Sequence, residues 1–73
     1  MKKQLTAIIE KEDDYYVALC PEVDVASQGK SIEESLANLK EAIELFFEVA
    51  SPEEIKLRMH SEVFVTHVGV EVE

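Results

Sequence analysis

Apolar side chains recur at helical spacing in the middle of the chain. Steps of three and four residues are typical of a half-buried amphipathic helix, and they connect Ile32, Leu36, Leu39, Ile43 and Phe46. Ser31 stands at the N-cap position, and Glu34 follows three residues later to complete a capping box. The pattern predicts a helix that begins at about Ile32 and ends near Ala50.

β-branched and aromatic residues dominate both ends of the chain. Residues 4–10 and 15–20 flank a polar cluster, and this spacing predicts a hairpin. A third short strand is expected over residues 23–27, because Pro21 interrupts any ladder before it. Residues 62–73 alternate and predict a fourth, long strand, whose apolar face would carry Phe64, Thr66, Val68, Val70 and Val72.

Ser51 and Pro52 open a second, short helix over residues 52–57, because Pro is favoured at the first helical position. A right-handed crossover would then bring the last strand parallel to the first. We therefore expect a two-layer α+β fold, with a four-stranded mixed sheet in the order 3-2-1-4 and the long helix on one face. We see neither a linker nor a repeat, and expect residues 1–73 to form a single domain.

The apolar content exceeds what one helix can cover in so small a domain. The chain has 73 residues, of which 47% are hydrophobic, and domains of this size bury only about 60% of their unfolded surface. Pairing of two or more chains would bury the excess and protect a Val-rich edge. We expect a homodimer or homotetramer, with an interface formed by Phe47, Val63, Val65 and His67.

The amino-acid composition limits the cellular compartments and the classes of binding partner that we expect. The chain has a single cysteine and no apolar run long enough for a membrane span, which favours a cytoplasmic protein without membrane contact. Sixteen acidic residues against seven basic ones give a formal net charge of −9, and the basic residues are scattered. Direct nucleic-acid binding, which depends on clustered Lys and Arg, is therefore not expected.

Four glutamates lie on the side of the predicted helix that faces away from its apolar stripe: Glu34, Glu41, Glu44 and Glu48. The helix dipole disfavours anions near its C-terminal end, and Glu44 and Glu48 repel each other at a four-residue spacing. Local helix stability therefore does not explain these acids. Two interpretations stay open, a solvated face that keeps the protein soluble and a landing surface for a basic protein.

No combination of residues indicates catalysis. Cys20 ends an apolar strand, where a cysteine usually acts as a small hydrophobe, and its pairing with His60 or His67 has no motif behind it. The acidic pairs at 13–14 and at Glu22 and Asp24 lie in predicted turns. There is no Gly-rich phosphate loop, so we expect no enzyme activity, no metal site and no cofactor.

The segment "YYVALCPEVDVASQGKSIEESLANLKEAIELFFE", preceded by "IIEKEDD", resembles the N-terminal domain of HicB-like antitoxins, a group also catalogued as a family of unknown function. Its most specific stretch, "SQGKSIEESLANLKEAIEL", joins the glycine turn to the capped helix. The "LCPEVDVA" segment departs from the family pattern, because Cys20 precedes Pro21, and no cysteine role is transferred. The resemblance implies a degraded, partial ribonuclease-H-like fold without catalytic carboxylates.

The resemblance also implies a function in a toxin–antitoxin system. HicB-like proteins bind small basic HicA-type toxins, which cleave mRNA with a histidine, and mask their active sites. We expect such an interaction protein here, without the C-terminal DNA-binding domain that many antitoxins carry. The alternative is an orphan homo-oligomeric binding module of the same fold with no toxin partner.

Overall fold

The protein folds as a small sheet with one long helix laid on it. The computed structural model describes residues 4–60 and 62–73. The elements follow in the order β1 (Ile8–Glu12), β2 (Tyr15–Cys20), β3 (Val25–Gly29), α1 (Ile32–Val49) and α2 (Pro52–Arg58). The strands form an antiparallel sheet in the order β1-β2-β3, and α1 packs mainly on β3 and, to a lesser extent, on β2. The predicted α+β class and both predicted helices are confirmed.

The first hairpin is shifted along the chain relative to its prediction. Glu12 pairs with Tyr15, so the loop between β1 and β2 has only two residues, Asp13 and Asp14. Asp13 has a φ of 51°, a left-handed conformation that aspartate tolerates better than most residues. The tight turn carries the strand through Lys11 and Glu12, and cross-strand pairing with the tyrosines of β2 prevails over their polar character.

The third strand begins two residues later than predicted. Residues 21–24 form a turn in which Val23 is fully buried and Asp24 has a φ of 56°. A left-handed residue cannot continue an extended ladder, so β3 starts at Val25. Val23 contributes to the core from this turn.

The predicted fourth strand is wrong for this structure. Residues 62–73 pair with no strand of the described chain, and the sheet order is β1-β2-β3 instead of 3-2-1-4. The Cα radius of gyration is 14.2 Å and the longest dimension is 47 Å, whereas a compact domain of this length has a radius of about 11 Å. Segment 62–73 keeps the alternation of a strand and lacks a neighbouring strand.

The core lies between α1 and the helix-facing side of the sheet. Its fully buried apolar members are Ala18, Cys20, Val23 and Leu39, and the residues packed around them are Leu5, Ile9, Val25, Ile43, Phe46, Phe47 and Met59. Ile32 and Leu36, which belong to the predicted apolar stripe, are 46% and 40% exposed. The buried face of α1 is therefore rotated toward Ser35, which is fully buried.

This rotation follows from the contact between α1 and Gly29. A Cβ atom at Gly29 would lie 2.6 Å from the Ser35 nitrogen and 2.8 Å from the Glu34 carbonyl carbon. The absence of a side chain thus allows the first turn of α1 to rest directly on β3. The buried hydroxyl of Ser35 donates to the Ile32 carbonyl at 2.8 Å, so its burial leaves no polar group unpaired.

Both helices are capped as predicted. The Ser31 hydroxyl accepts a hydrogen bond from the Glu34 amide at 3.0 Å, and the Ser51 hydroxyl accepts one from the Glu54 amide at 3.1 Å. The Glu34 carboxylate accepts from the Lys30 amide at 2.6 Å, one residue before the N-cap. Neither α1 nor α2, the helices of the described residues, has the length and apolar composition needed to cross a membrane.

The Gly29 contact predicts a site-specific loss of stability. Gly29→Ala should lower the free energy of unfolding by about 1–3 kcal/mol, because the new methyl group must displace the backbone of α1. Chemical denaturation followed by circular dichroism measures this loss. Gln28→Ala, at the exposed neighbouring position, is the control and should change stability by less than about 0.5 kcal/mol. Equal effects of the two substitutions would refute the close-contact interpretation.

Candidate functional site

The turn at residues 21–24 is fastened to the end of α2 by Arg58. The Arg58 guanidinium donates from Nη2 to the carbonyls of Val23 and Asp24, both at 3.0 Å, and from Nε to Val23 at 3.3 Å. Its central carbon lies 5.0 Å from the centroid of the Phe46 ring, a cation–π contact. Arg58 therefore links the turn, α2 and α1.

His60 adds a second connection to the same turn. Its backbone amide donates to the Glu22 carbonyl at 2.7 Å, and its Nε2 lies 3.1 Å from Asp24 Oδ2. Both side chains are more than half exposed, so the pair is a surface contact of small energetic value. Its structural effect is to fix where the chain leaves α2.

Glu22 connects this turn to the residues before β1. Its carboxylate accepts from the Thr6 amide at 3.0 and 3.1 Å and from the Thr6 hydroxyl at 2.6 Å. Partial burial raises the pKa of Glu22, but the hydrogen bonds from Thr6 outweigh it and hold the pKa below its ordinary value of 4.5. The ionised carboxylate is therefore part of the fold.

Cys20 is placed as a core residue and not as a nucleophile. Its side chain is fully buried, and its Sγ donates to Glu22 Oε1 at 3.4 Å. Burial raises the pKa of the Cys20 thiol, and the Glu22 carboxylate raises it further. The thiol is held protonated, whereas nucleophilic attack needs the thiolate.

The acidic residues considered for metal binding lie in turns. Asp13 and Asp14 form the hairpin loop, and the carboxylates of Glu22 and Asp24 already contact Thr6 and His60. In residues 4–60 and 62–73, no three His, Cys, Asp or Glu side chains are grouped so that they could hold a metal ion.

An open groove runs along α1 beside β3, and we call it the acidic groove. It has a volume of about 540 Å³ and is lined by Ser27, Asn38, Glu41, Ala42, Glu44, Leu45 and Glu48. The Asn38 amide donates to the Gln28 carbonyl at 2.8 Å and fixes the helix against the strand at this point. The lining thus combines three carboxylates with the apolar side chains of Ala42 and Leu45, and Leu45 is 57% exposed.

The structure brings together three of the four glutamates proposed for partner binding. Glu41, Glu44 and Glu48 line the acidic groove, whereas Glu34 lies at the start of α1 and is occupied by the Lys30 amide. None of the three groove carboxylates forms an ion pair with another described residue. The last turn of α1 also has no basic residue, so these acids gain no support from their own helix.

The residues proposed for an oligomer interface fall into two separate groups. Phe47 packs against the core and stacks edge-to-face on Phe46, with ring centroids 5.3 Å apart. Val63, Val65 and His67 lie on segment 62–73, where only Val63 is half-buried. Their joint use as an oligomer interface stays a prediction.

Sequence reasoning overlooked the tertiary partners of several residues. It did not assign a structural role to Glu22 or Arg58, and it did not place Asn38 or Leu45 at the groove. Arg58 in the last turn of a short helix carries a signal for helix stabilisation only. Its contacts with a turn 34 and 35 residues away depend on the tertiary arrangement of the sheet and α2.

The chain is similar to two curated UPF0150 proteins. It is 54% identical over 50 residues to one from Synechocystis sp., an alignment that covers 66% of this chain and 69% of that protein. It is 51% identical over 43 residues to one from Helicobacter pylori, which covers 58% of this chain and 60% of that protein. No family model matches the chain, and no solved structure matches it.

The environment of Cys20 predicts slow thiol chemistry. At mildly alkaline pH, a thiol-specific disulfide reagent should label the folded protein about a hundredfold more slowly than the unfolded protein, because labelling requires local opening. Absorbance of the released thiol measures both rates, and the protein in denaturant is the control. Equal rates would show that Cys20 is accessible and reactive.

The hydrogen bonds of Glu22 predict a pH-dependent contribution to stability. A lowered pKa in the folded state stabilises the fold fully above the ordinary value of 4.5, and this stabilisation is lost as the pH falls through the lower folded pKa. Glu22→Gln should therefore be less stable than the natural protein at neutral pH, and the gap should close in acid. Denaturation curves at several pH values measure the gap.

Thr6→Val tests the same hydrogen bond to the Glu22 carboxylate from the donor side. It removes the hydroxyl that donates to Glu22 at 2.6 Å, so its effect should be smaller in a Glu22→Gln background than alone. A stability gap that does not change with pH, or additive effects of the two substitutions, would contradict the assignment.

Proposed function

The chain belongs to the UPF0150 family, and we propose that it is a cytoplasmic, HicB-type antitoxin-like protein that binds and masks a small basic, HicA-type mRNA-cleaving toxin. The observation that carries the proposal is the acidic groove, which is lined by Glu41, Glu44 and Glu48 together with exposed Leu45. The sequence resemblance described above supplies the partner class. No residue of this chain has to perform chemistry in this mechanism.

The acids of the groove are better explained by a partner than by the helix. Glu44 and Glu48 lie in the C-terminal half of α1, where the helix dipole disfavours anions. They also stand four residues apart, a spacing at which like charges repel. Their carboxylates, which form no ion pair with another residue that the structure describes, would pair with Lys or Arg side chains of a basic protein, and the pairing would speed association.

The groove also offers a contact that is not electrostatic. Leu45 and Ala42 add apolar side chains to its lining, and Ser27 and Asn38 add polar groups. Protein-binding surfaces combine apolar and polar groups in this way. A basic residue with a long aliphatic stem would pack that stem on the apolar side chains and direct its charge to the carboxylates.

The proposal predicts that neutralising the groove weakens toxin binding. The first step is to search the reading frames that adjoin this chain's gene for a small basic, histidine-containing protein. That protein is then expressed alone and together with this chain, and the lack of such a reading frame would count against the proposal. Co-expression should restore growth and yield a complex. Glu41→Gln, Glu44→Gln and Glu48→Gln combined should raise the Kd about tenfold or more, because three charge contacts are lost, and should reduce the salt dependence of binding.

A matched triple variant separates the groove from net charge. Glu10→Gln, Glu12→Gln and Glu33→Gln remove the same number of charges at exposed positions outside the groove, and should change the Kd by less than about threefold. Equal weakening by the two triple variants would refute the groove as the binding surface. Absence of both growth rescue and a complex would refute the toxin-binding function and favour the orphan binding module.

A further inference from the structure

Segment 62–73 exposes a strand-like apolar pattern to solvent. Phe64, Val68 and Val72 on its even-numbered face are 82%, 82% and 88% exposed, and Val70 lies between them. Contiguous apolar side chains exposed in this way mark an interaction surface. The backbone of the segment also lacks ladder partners among the described residues.

The residues that follow α2, Met59 and His60, are held against the rest of the fold. Arg58 and His60 are hydrogen-bonded to the turn at residues 21–24, and Met59 packs against the core. The chain is therefore held in place up to His60, the last described residue before segment 62–73.

The exposed area in excess of a compact monomer is about twice what each partner of a stable dimer buries. The accessible surface is 6204 Å², whereas a compact monomer of this mass exposes about 4,600 Å². The excess is about 1,600 Å² per chain, and stable interfaces bury about 800 Å² per partner. One chain thus leaves open at least the area that a second chain needs.

The outer edge of β1 is the part of the sheet that can pair with an added strand such as segment 62–73. On the opposite edge, the Asn38 side chain occupies the Gln28 carbonyl of β3, and Gly29 lies under the first turn of α1. β1 is the other edge of the sheet, and no strand of residues 4–60 or 62–73 pairs with its outer N–H and C=O groups. An unpaired edge of this kind accepts an added strand.

The occupant that fits this edge is segment 62–73 of a second copy. Glu22 contacts both Thr6, just before β1, and His60, just before the segment, so pairing with its own β1 would be parallel, the slightly weaker arrangement. A second copy is free of this restriction. Residues 63–70 carry no formal charge, so two chains of net charge −9 can meet there with little repulsion.

We propose that two copies of this chain form a two-fold dimer by exchanging segment 62–73, each segment adding a fourth strand to the free edge of β1 in the other copy. The exchange is reciprocal and closed, so the β1 edge is paired in both copies. It uses the side of the molecule away from the acidic groove. Failure of the dimer and failure of toxin binding are therefore separate results.

The test combines the mass of the full chain in solution with residue-resolved amide hydrogen exchange. Size-exclusion chromatography with light scattering should give twice the chain mass at micromolar concentration. Exchange followed by NMR should show protection of amides in residues 64–72 and of the outward-facing amides of β1. Val68→Asp combined with Val70→Asp should give a monomer in which both sets exchange at least about tenfold faster.

A charge-matched double variant and a measurement of folding serve as controls for this test. Val49→Asp combined with Leu57→Asp places the same charges at helix positions that are 70% and 86% exposed, and should leave the dimer intact. Circular dichroism and the protection of α1 report whether each variant keeps its core. If the Val68 and Val70 variant loses its core, the natural chain's mass and protection pattern decide the question alone.

Four results would overturn the proposal. A natural chain that is monomeric in solution would overturn it, even if residues 64–72 were protected by pairing with their own sheet. A dimer with unprotected residues 64–72 or unprotected outer β1 amides would place the interface elsewhere. A folded Val68 and Val70 variant that stays dimeric, or a control variant that dissociates equally, would exclude the exchanged segment as the interface.

Discussion

The arrangement of the whole molecule depends on the close contact between Gly29 and the first turn of α1. Because Gly29 has no Cβ, the backbone at Glu34 and Ser35 rests directly on β3, and Ser35 replaces the expected Ile32 and Leu36 on the buried face. This contact sets the helix over β3 and β2. The acidic groove then forms beside β3, and the edge of β1 stays uncovered on the other side of the sheet.

A second constraint is the turn at residues 21–24, which joins parts of the chain that are distant in sequence. Its Glu22 carboxylate holds the residues before β1, its carbonyls hold Arg58, and buried Val23 completes the core. The titratable groups near Cys20 therefore serve the fold, with a protonated thiol and an ionised carboxylate. Contacts of the same turn hold the chain as far as His60.

The sequence predicted those features that depend on neighbouring residues. Spacing and caps located α1 and α2 closely, because Ser31 and Ser51 act on amides three residues away. The fourth strand was predicted wrongly, since alternation shows that a segment can pair but not where its partner lies. The grouping of Glu41, Glu44 and Glu48 was predictable from helical spacing, and the capping role of Glu34 was predictable from its place three residues after Ser31. The rotation of the buried face was not, because it depends on the Gly29 contact, which spacing does not report.

In the proposed arrangement the two edges of the sheet serve different partners, with the acidic groove beside β3 for a basic protein and the edge of β1 for a second copy. Isotope-filtered NOE spectroscopy on a mixture of labelled and unlabelled natural chains distinguishes contacts between chains from contacts within one chain. We expect intermolecular NOEs between residues 64–72 and β1, and none between chains at the groove residues. NOEs between the segment and β1 that are found only within one chain would contradict this arrangement.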